Sequence, residues 1–113
     1  MVKAIAFLKR NPGLSPEQFR QHYEEIHAPL AKRLFPFIRK YVRNYVTGMP
    51  FAPKDKGPKF DCITEEWFDN MEGFQTQMDT YVSETGRPIR EDEKELFDMT
   101  KVVYLLVHEV ASR

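Results

Sequence analysis

The residue types able to move protons are few in this chain, and their spacing narrows what they could do. Foremost is His27, in the run Tyr23-Glu24-Glu25-Ile26-His27-Ala28-Pro29-Leu30. With Tyr23 four residues before it and Leu30 three after, a helix would place it at the flank of an apolar stripe, where it could point into an enclosed pocket. An imidazole titrates near neutral pH and both takes and gives protons, which dehydration, cyclisation, isomerisation or decarboxylation without a cofactor requires. The alternative is a structural histidine that bonds the carbonyls freed by Pro29. Asp61 and Glu65 are four apart on a strand, so they share a face but sit roughly 13 Å apart, too far for a close carboxylate pair. Either could orient His27 or, if desolvated, serve as the general acid. Glu65, at mid-strand beside Ile63 and Trp67, is the stronger candidate, since Asp61 equally suits a salt bridge at a strand end.

Phe7, Tyr23, Tyr45, Trp67 and Tyr104 would suit a pocket for a flat, apolar or aromatic molecule, and Asn44 could donate to a substrate carbonyl. Aromatic strand residues are also ordinary core, and Asn44 could equally satisfy a bulged backbone. His22 and His27 are five apart, off the i, i+4 spacing of a helical metal pair, and no HExxH occurs, so no metal is assigned. Neither GxGxxG nor GxxxxGK[ST] is present. Alternation places Cys62 with Phe68 toward the helices, buried and inert.

Recognisable elements must position these groups. Val2 to Leu8 is an apolar, β-branched run closed by Lys9-Arg10-Asn11-Pro12-Gly13, a first strand. In Leu14-Ser15-Pro16-Glu17-Gln18-Phe19, Ser15 caps a helix, Pro16 suits its first turn, Gln18 completes a capping box, and Leu14 with Phe19 forms a hydrophobic staple. Phe19, Tyr23, Ile26, Leu30 and Leu34 make the expected core stripe, with a kink near His27-Ala28-Pro29. A second strand is expected over Ile38 to Thr47, with Tyr41, Arg43 and Tyr45 opposite Val42, Asn44 and Val46. A surface loop is expected over 48–59, either a lid or a dimer contact. A third strand spans Phe60 to Phe68, with Asp61, Ile63, Glu65 and Trp67 opposite Cys62, Thr64, Glu66 and Phe68. Asn70 caps a helix over Met71 to Val82, an irregular acidic stretch from Thr85 to Phe97 ends in a short helix, and Lys101 to Val110 is a buried final strand.

The order β-α-β-β-α-β is that of an α+β, ferredoxin-like split βαβ fold, a four-stranded antiparallel sheet with helices on one face. The other face keeps apolar residues, and a second subunit is its simplest cover. Basic residues from Lys32 to Arg43 and acidic ones from Glu91 to Asp98 could help set the register of such a homodimer.

The chain has 113 residues, enough for one domain, expected over 1–113. Seventeen Lys plus Arg balance 17 Asp plus Glu, so the basic field needed for nucleic-acid binding is missing. No stretch approaches the apolar length of a membrane span. The single cysteine excludes an internal disulfide and, with no signal-peptide pattern, points to a reducing, cytoplasmic setting.

The stretch from Pro12-Gly13-Leu14-Ser15 through His27-Ala28-Pro29 and Tyr41-Val42-Arg43-Asn44, followed by Asp61 and Glu65-Glu66-Trp67-Phe68, resembles the EthD-like family. The resemblance implies a dimeric α+β barrel, in which two sheets pack face to face and each subunit encloses a pocket. It further implies cofactor-free acid–base chemistry on a hydrophobic, aromatic or polyketide-like molecule, with His27 as base or acid and Glu65 or Asp61 as its partner. The rival reading is a non-catalytic accessory or ligand-binding protein of an oxidative degradation pathway, and a cofactor-free monooxygenase, as other dimeric α+β barrels are, comes third. Two positions depart from the family pattern: Tyr45 stands where histidine is frequent, and Glu66 where an apolar residue is usual.

Overall fold

Strand alternation creates two faces, and strand pairing decides which residues share them. The computed structural model describes residues 1–51 and 58–112. In it β1 (Val2–Leu8) and β3 (Cys62–Phe68) form the centre of an antiparallel sheet, flanked by β2 (Lys40–Tyr45) and β4 (Val103–Val107), in the order β2-β3-β1-β4. Because β3 lies between β1 and β2, this is the split βαβ topology, and the fold is α+β and ferredoxin-like as expected. The register pairs Ala4 with Glu66 and Ile5 with Glu65. Ala4, Ala6, Leu8, Cys62, Thr64, Glu66 and Phe68 therefore face the helices, while Lys3, Ile5, Phe7, Ile63, Glu65 and Trp67 face the opposite way. Cys62 is fully buried on the helix side, where burial pushes its thiol up to about 11.

Helix α1 (Pro16–His22) starts at the expected capping box. The Gln18 N–H donates to Ser15 Oγ at 3.1 Å, and the Ser15 N–H donates to Gln18 Oε1 at 2.9 Å. The helix then passes through a π-turn at Tyr23–His27, where the Ala28 N–H bonds the Tyr23 carbonyl, and continues as α2 (Ala28–Leu34). This is the form the expected kink takes: Pro29 offers no N–H and crowds the preceding turn, and the extra residue there widens it. The π-turn also shifts the core stripe. Ile26 is 52% exposed, and the buried line runs Phe19, Tyr23, His27, Ala31, Phe35.

α3 (Met71–Val82) begins at Asn70, whose side chain accepts the Gly73 N–H at 3.0 Å. A 3₁₀ turn (Glu84–Gly86) leads directly into α4 (Arg87–Leu96), more regular than the sequence suggests. A Cβ at Gly86 would run into the backbone carbonyl oxygens of Thr80 and Tyr81, so the turn that aims α4 admits no side chain. Gly86→Ala is expected to cost about 2–3 kcal/mol, as overpacking does, seen as a lower urea midpoint at unchanged slope. The strand ends are shorter than the sequence implies, and β4 is an edge strand with Val103, Leu105 and Leu106 between 41% and 49% exposed, not a buried one. Much of the expected 48–59 loop, namely 52–57, lies outside the described residues. Among those described, no helix is long and apolar enough to cross a membrane.

One ion pair ties the helix to β2. The Arg43 Nε and Nη2 groups donate to Glu24 at 2.9 and 2.8 Å, and the Tyr45 hydroxyl adds a bond of 2.5 Å. The Arg43 hydrogen bonds hold the Glu24 carboxyl at about 2 in spite of partial burial. A carboxyl depressed on folding adds stability above its unfolded value and loses it as pH falls through the folded one. Glu24→Gln should therefore melt a few degrees below wild type at pH 7, the curves converging as pH drops from 4.5 toward 2. The gap stays small because the pair is partly exposed and screened; calorimetry across pH measures it.

Candidate active site

Between the sheet and the helices lies a cavity of about 250 Å³. Small side chains make the room: Ala6 on β1 and Ala31 on α2 stand where larger residues would fill it, while Phe35, Ile89 and Phe97 form apolar walls. Four polar clusters line it.

The first is centred on His27, which is 5% exposed. Its Nδ1 lies 2.8 Å from Asp92 Oδ2 on α4, and its ring is held edge-on by Tyr23 and Phe97 at centroid distances of 5.3 and 5.4 Å. No hydrogen bond reaches Nε2 among the described residues, and the ring borders the cavity. Asp92 Oδ1 in turn lies 2.7 Å from His22 Nε2. Burial pushes the Asp92 carboxyl up, but hydrogen bonds from His27 and His22 outweigh it and leave it below the ordinary value. An ionised Asp92 accepts from Nδ1–H, which leaves the Nε2 lone pair for the cavity, the form a general base needs.

The second is built on Glu66. The Tyr104 hydroxyl donates to Glu66 Oε1 at 2.6 Å, and Gln77 Nε2 lies 3.2 Å from both that oxygen and the Tyr104 hydroxyl. No hydrogen bond reaches Oε2 among the described residues. Burial pushes the Glu66 carboxyl above its ordinary value against those two donors. A carboxyl of this kind keeps its proton longer and can give it up as a general acid. The Gln77 Oε1 is buried without a partner among the described residues.

The third is a hydroxyl chain. Tyr41 donates to the Tyr23 hydroxyl at 3.2 Å, which meets Thr64 Oγ1 at 2.7 Å. Burial raises both tyrosines, so they stay neutral donors. The fourth is Tyr81, whose hydroxyl donates to Glu93, a carboxyl likewise raised by burial.

A family model of the EthD domain matches residues 11–100, most of the chain. The chain belongs to the EthD family. Among solved structures, an EthD-family protein of Bacillus halodurans is similar at 22% identity and a TM-score of 0.69, over 97% of this chain and 100% of that one. A hydroxynitrile lyase of Passiflora edulis is similar at 16% identity and a TM-score of 0.65, over 98% of this chain and 96% of that one. A dimeric ferredoxin-like protein of Thermobifida fusca is similar at 15% identity and a TM-score of 0.57, over 94% and 88% of the two chains. At such identities the likeness is one of fold. No curated protein matches the sequence.

The EthD fold brings together only some of the residues singled out from the sequence. His27, Tyr23 and Tyr104 border the cavity. Tyr45 faces the helices but packs on Phe19 and bonds Glu24, outside the cavity wall. Glu65 is separated from His27 by the sheet itself: odd-numbered β3 residues face away from the helices, so within this chain it cannot partner the histidine. It pairs instead with Lys3 Nζ at 2.6 Å and accepts from Asn44 Nδ2 at 2.9 Å, and those bonds hold its carboxyl low, the opposite of what a general acid requires. Asn44, Trp67 and Phe7 share that outer face: Asn44 also bonds the Ile63 carbonyl, Trp67 lies under Lys3 and donates to Glu109, and Phe7 packs on Phe60. Asp61 sits at the end of β3, accepting the Arg10 N–H at 2.9 Å and pairing with Lys9, the salt-bridge alternative.

Asp92, Glu66 and Gln77 were not expected. Glu66 had a signal, being the one charged residue on the β3 face shared with Cys62, Thr64 and Phe68, and the position where this chain departs from its family pattern. Asp92 had none, since it is one of several acids in its helix. His22 and His27, five apart and off the spacing of a helical metal pair, nevertheless meet on one side, because the π-turn inserts one residue between them. Both are bonded to Asp92, and no group of three His, Cys, Asp or Glu side chains among the described residues is arranged to hold a metal ion.

Proposed function

We propose that this EthD-family protein binds a compact, largely apolar carbonyl or hydroxy compound in the cavity and catalyses a proton transfer on it, with His27 as base and Glu66 as acid. The observation that carries this is the pairing of His27 Nδ1 with Asp92 at 2.8 Å, with no hydrogen bond at Nε2 among the described residues, on a ring that borders the same cavity as Glu66. His27 Nε2 takes a proton from a C–H or O–H activated by the neighbouring carbonyl. Protonated Glu66 gives its proton to the oxygen or group on which charge develops, and the Tyr104 hydroxyl stabilises the carboxylate left behind. Lyase, isomerase, cyclase and decarboxylase chemistry all follow this pattern, and the similarity in fold to a hydroxynitrile lyase favours the first.

The volume of 250 Å³ is below the usual range of about 300–1,000 Å³ for small-molecule pockets. A one-ring or short branched substrate fits such a space and a multi-ring polyketide does not, which narrows the class the family resemblance implies.

The outer sheet face carries Ile5, Phe7, Ile63, Val103 and Leu105, and its cover is a second copy of the chain, a reading supported by two structural neighbours described as dimeric. That leaves each cavity within its own subunit.

The test is a panel of compact ketones, cyanohydrins and phenols, followed by NMR signals of the cavity methyls of Met78, Ile89 and Val102. Hydrogen exchange into the ligand is monitored in D₂O. Binding at these methyls with exchange at the carbon next to the carbonyl, or cleavage to a carbonyl product, is expected. Perturbation confined to the outer sheet face, with no exchange, would remove the proposal.

A further inference from the structure

We propose that His22, outside the cavity, is a positioning residue for His27: through the one carboxylate both imidazoles share, it sets the tautomer in which His27 presents Nε2. This rests on the reading of His27 as the base.

The geometry is a bridge. His22 Nε2 lies 2.7 Å from Asp92 Oδ1 and His27 Nδ1 lies 2.8 Å from Asp92 Oδ2, so each carboxylate oxygen has its own imidazole. A carboxylate held at one oxygen could still swing about its side-chain bonds; held at both, it is fixed. With Oδ1 engaged by His22, Oδ2 stays in place opposite Nδ1, and neutral His27 keeps its hydrogen on Nδ1 and its lone pair on Nε2. The ring planes do not do this alone. Tyr23 and Phe97 pack edge-on against His27 and fix where the ring lies, but an aromatic wall cannot choose which nitrogen carries the proton.

The ionisable groups around His27 are Tyr23 of the same π-turn, Asp92 and Glu93 on α4 and Glu66 on β3. His22, whose side chain is 22% exposed, meets the same Asp92 from the solvent side. The π-turn makes the bridge possible: on a regular helix, positions 22 and 27 would point apart, and the inserted residue brings both to α4.

Protein labelled with ¹⁵N in histidine tests this without a substrate, through long-range ¹H–¹⁵N spectra. In wild type, His27 should show a single Nδ1–H tautomer and His22 an Nε2–H tautomer. His22→Leu should lose the single tautomer at His27, and His22→Gln, which restores an uncharged donor to Oδ1, should recover it. A mixture of tautomers at His27 in wild type, or an unchanged His27 tautomer in a folded His22→Leu, would overturn the proposal. Should the leucine variant not fold, loss of the single tautomer in a folded His22→Gln would overturn it equally. Failure of the base reading is separate: the tautomer and its dependence on His22 would then be present while wild type exchanges no proton on any compound of the panel.

Discussion

Replacing His27 with glutamine is expected to lower kcat for the cavity's substrate by about 10²–10⁴-fold, the usual contribution of a positioned base. KM should change little, because the imidazole acts on the reacting proton and the apolar walls do the binding. Glutamine can still donate to Asp92, so the link between the π-turn and α4 survives. What disappears is the Nε2 lone pair and part of the edge-on packing with Tyr23 and Phe97. Turnover or hydrogen exchange measured at saturating ligand checks this. A loss of less than about threefold would mean that His27 only ties the π-turn to α4.

Glu66→Gln should move activity and stability in opposite directions. Activity falls by a comparable 10²–10⁴-fold, since an amide cannot give up the proton. Stability rises, and the sign follows from linkage. Burial lifts the Glu66 carboxyl above the ordinary 4.5. A group whose folded pKa is raised adds stability below its unfolded value and loses it as pH rises through the folded one. Wild type thus carries a penalty at higher pH that glutamine, neutral throughout and able to accept from Tyr104 and Gln77, avoids. The difference in Tm between Glu66→Gln and wild type should widen as pH is raised above 4.5, read by thermal scans from acid to mildly basic pH. A variant that stays active and melts lower than wild type at pH 8 would make Glu66 an ionised structural residue. Opposed effects from one substitution are what a site held in an unfavourable state for its chemistry should show.

Local rules written in the sequence account for much of this protein. Ser15 and Gln18 cap their helix because both partners lie within four residues of each other, and Asn70 does the same for α3. The alternation of Cys62, Thr64 and Phe68 against Ile63 and Trp67 gives β3 two faces whatever packs on them, and the order of strands and helices leads to the split βαβ sheet. The EthD motifs around His27 are likewise readable in one dimension.

Tertiary structure decided the partners. Glu65 and Glu66 are adjacent acids on a strand, and which of them meets His27 depends solely on which face the helices cover; the preference for Glu65 fails there. Asp92 is 65 residues from His27 along the chain, and nothing in the acidic run of α4 marks it out from Glu91 or Glu93 before the helix is docked. The pairing of His22 with His27 depends on one residue of π-turn, a departure from 3.6-residue periodicity that follows from Pro29 only when the packed helix must accommodate it. Caps and alternation act between neighbours in sequence and so are legible there. Proton-transfer partners are chosen by proximity in space, which here exists only once α4 lies across the π-turn.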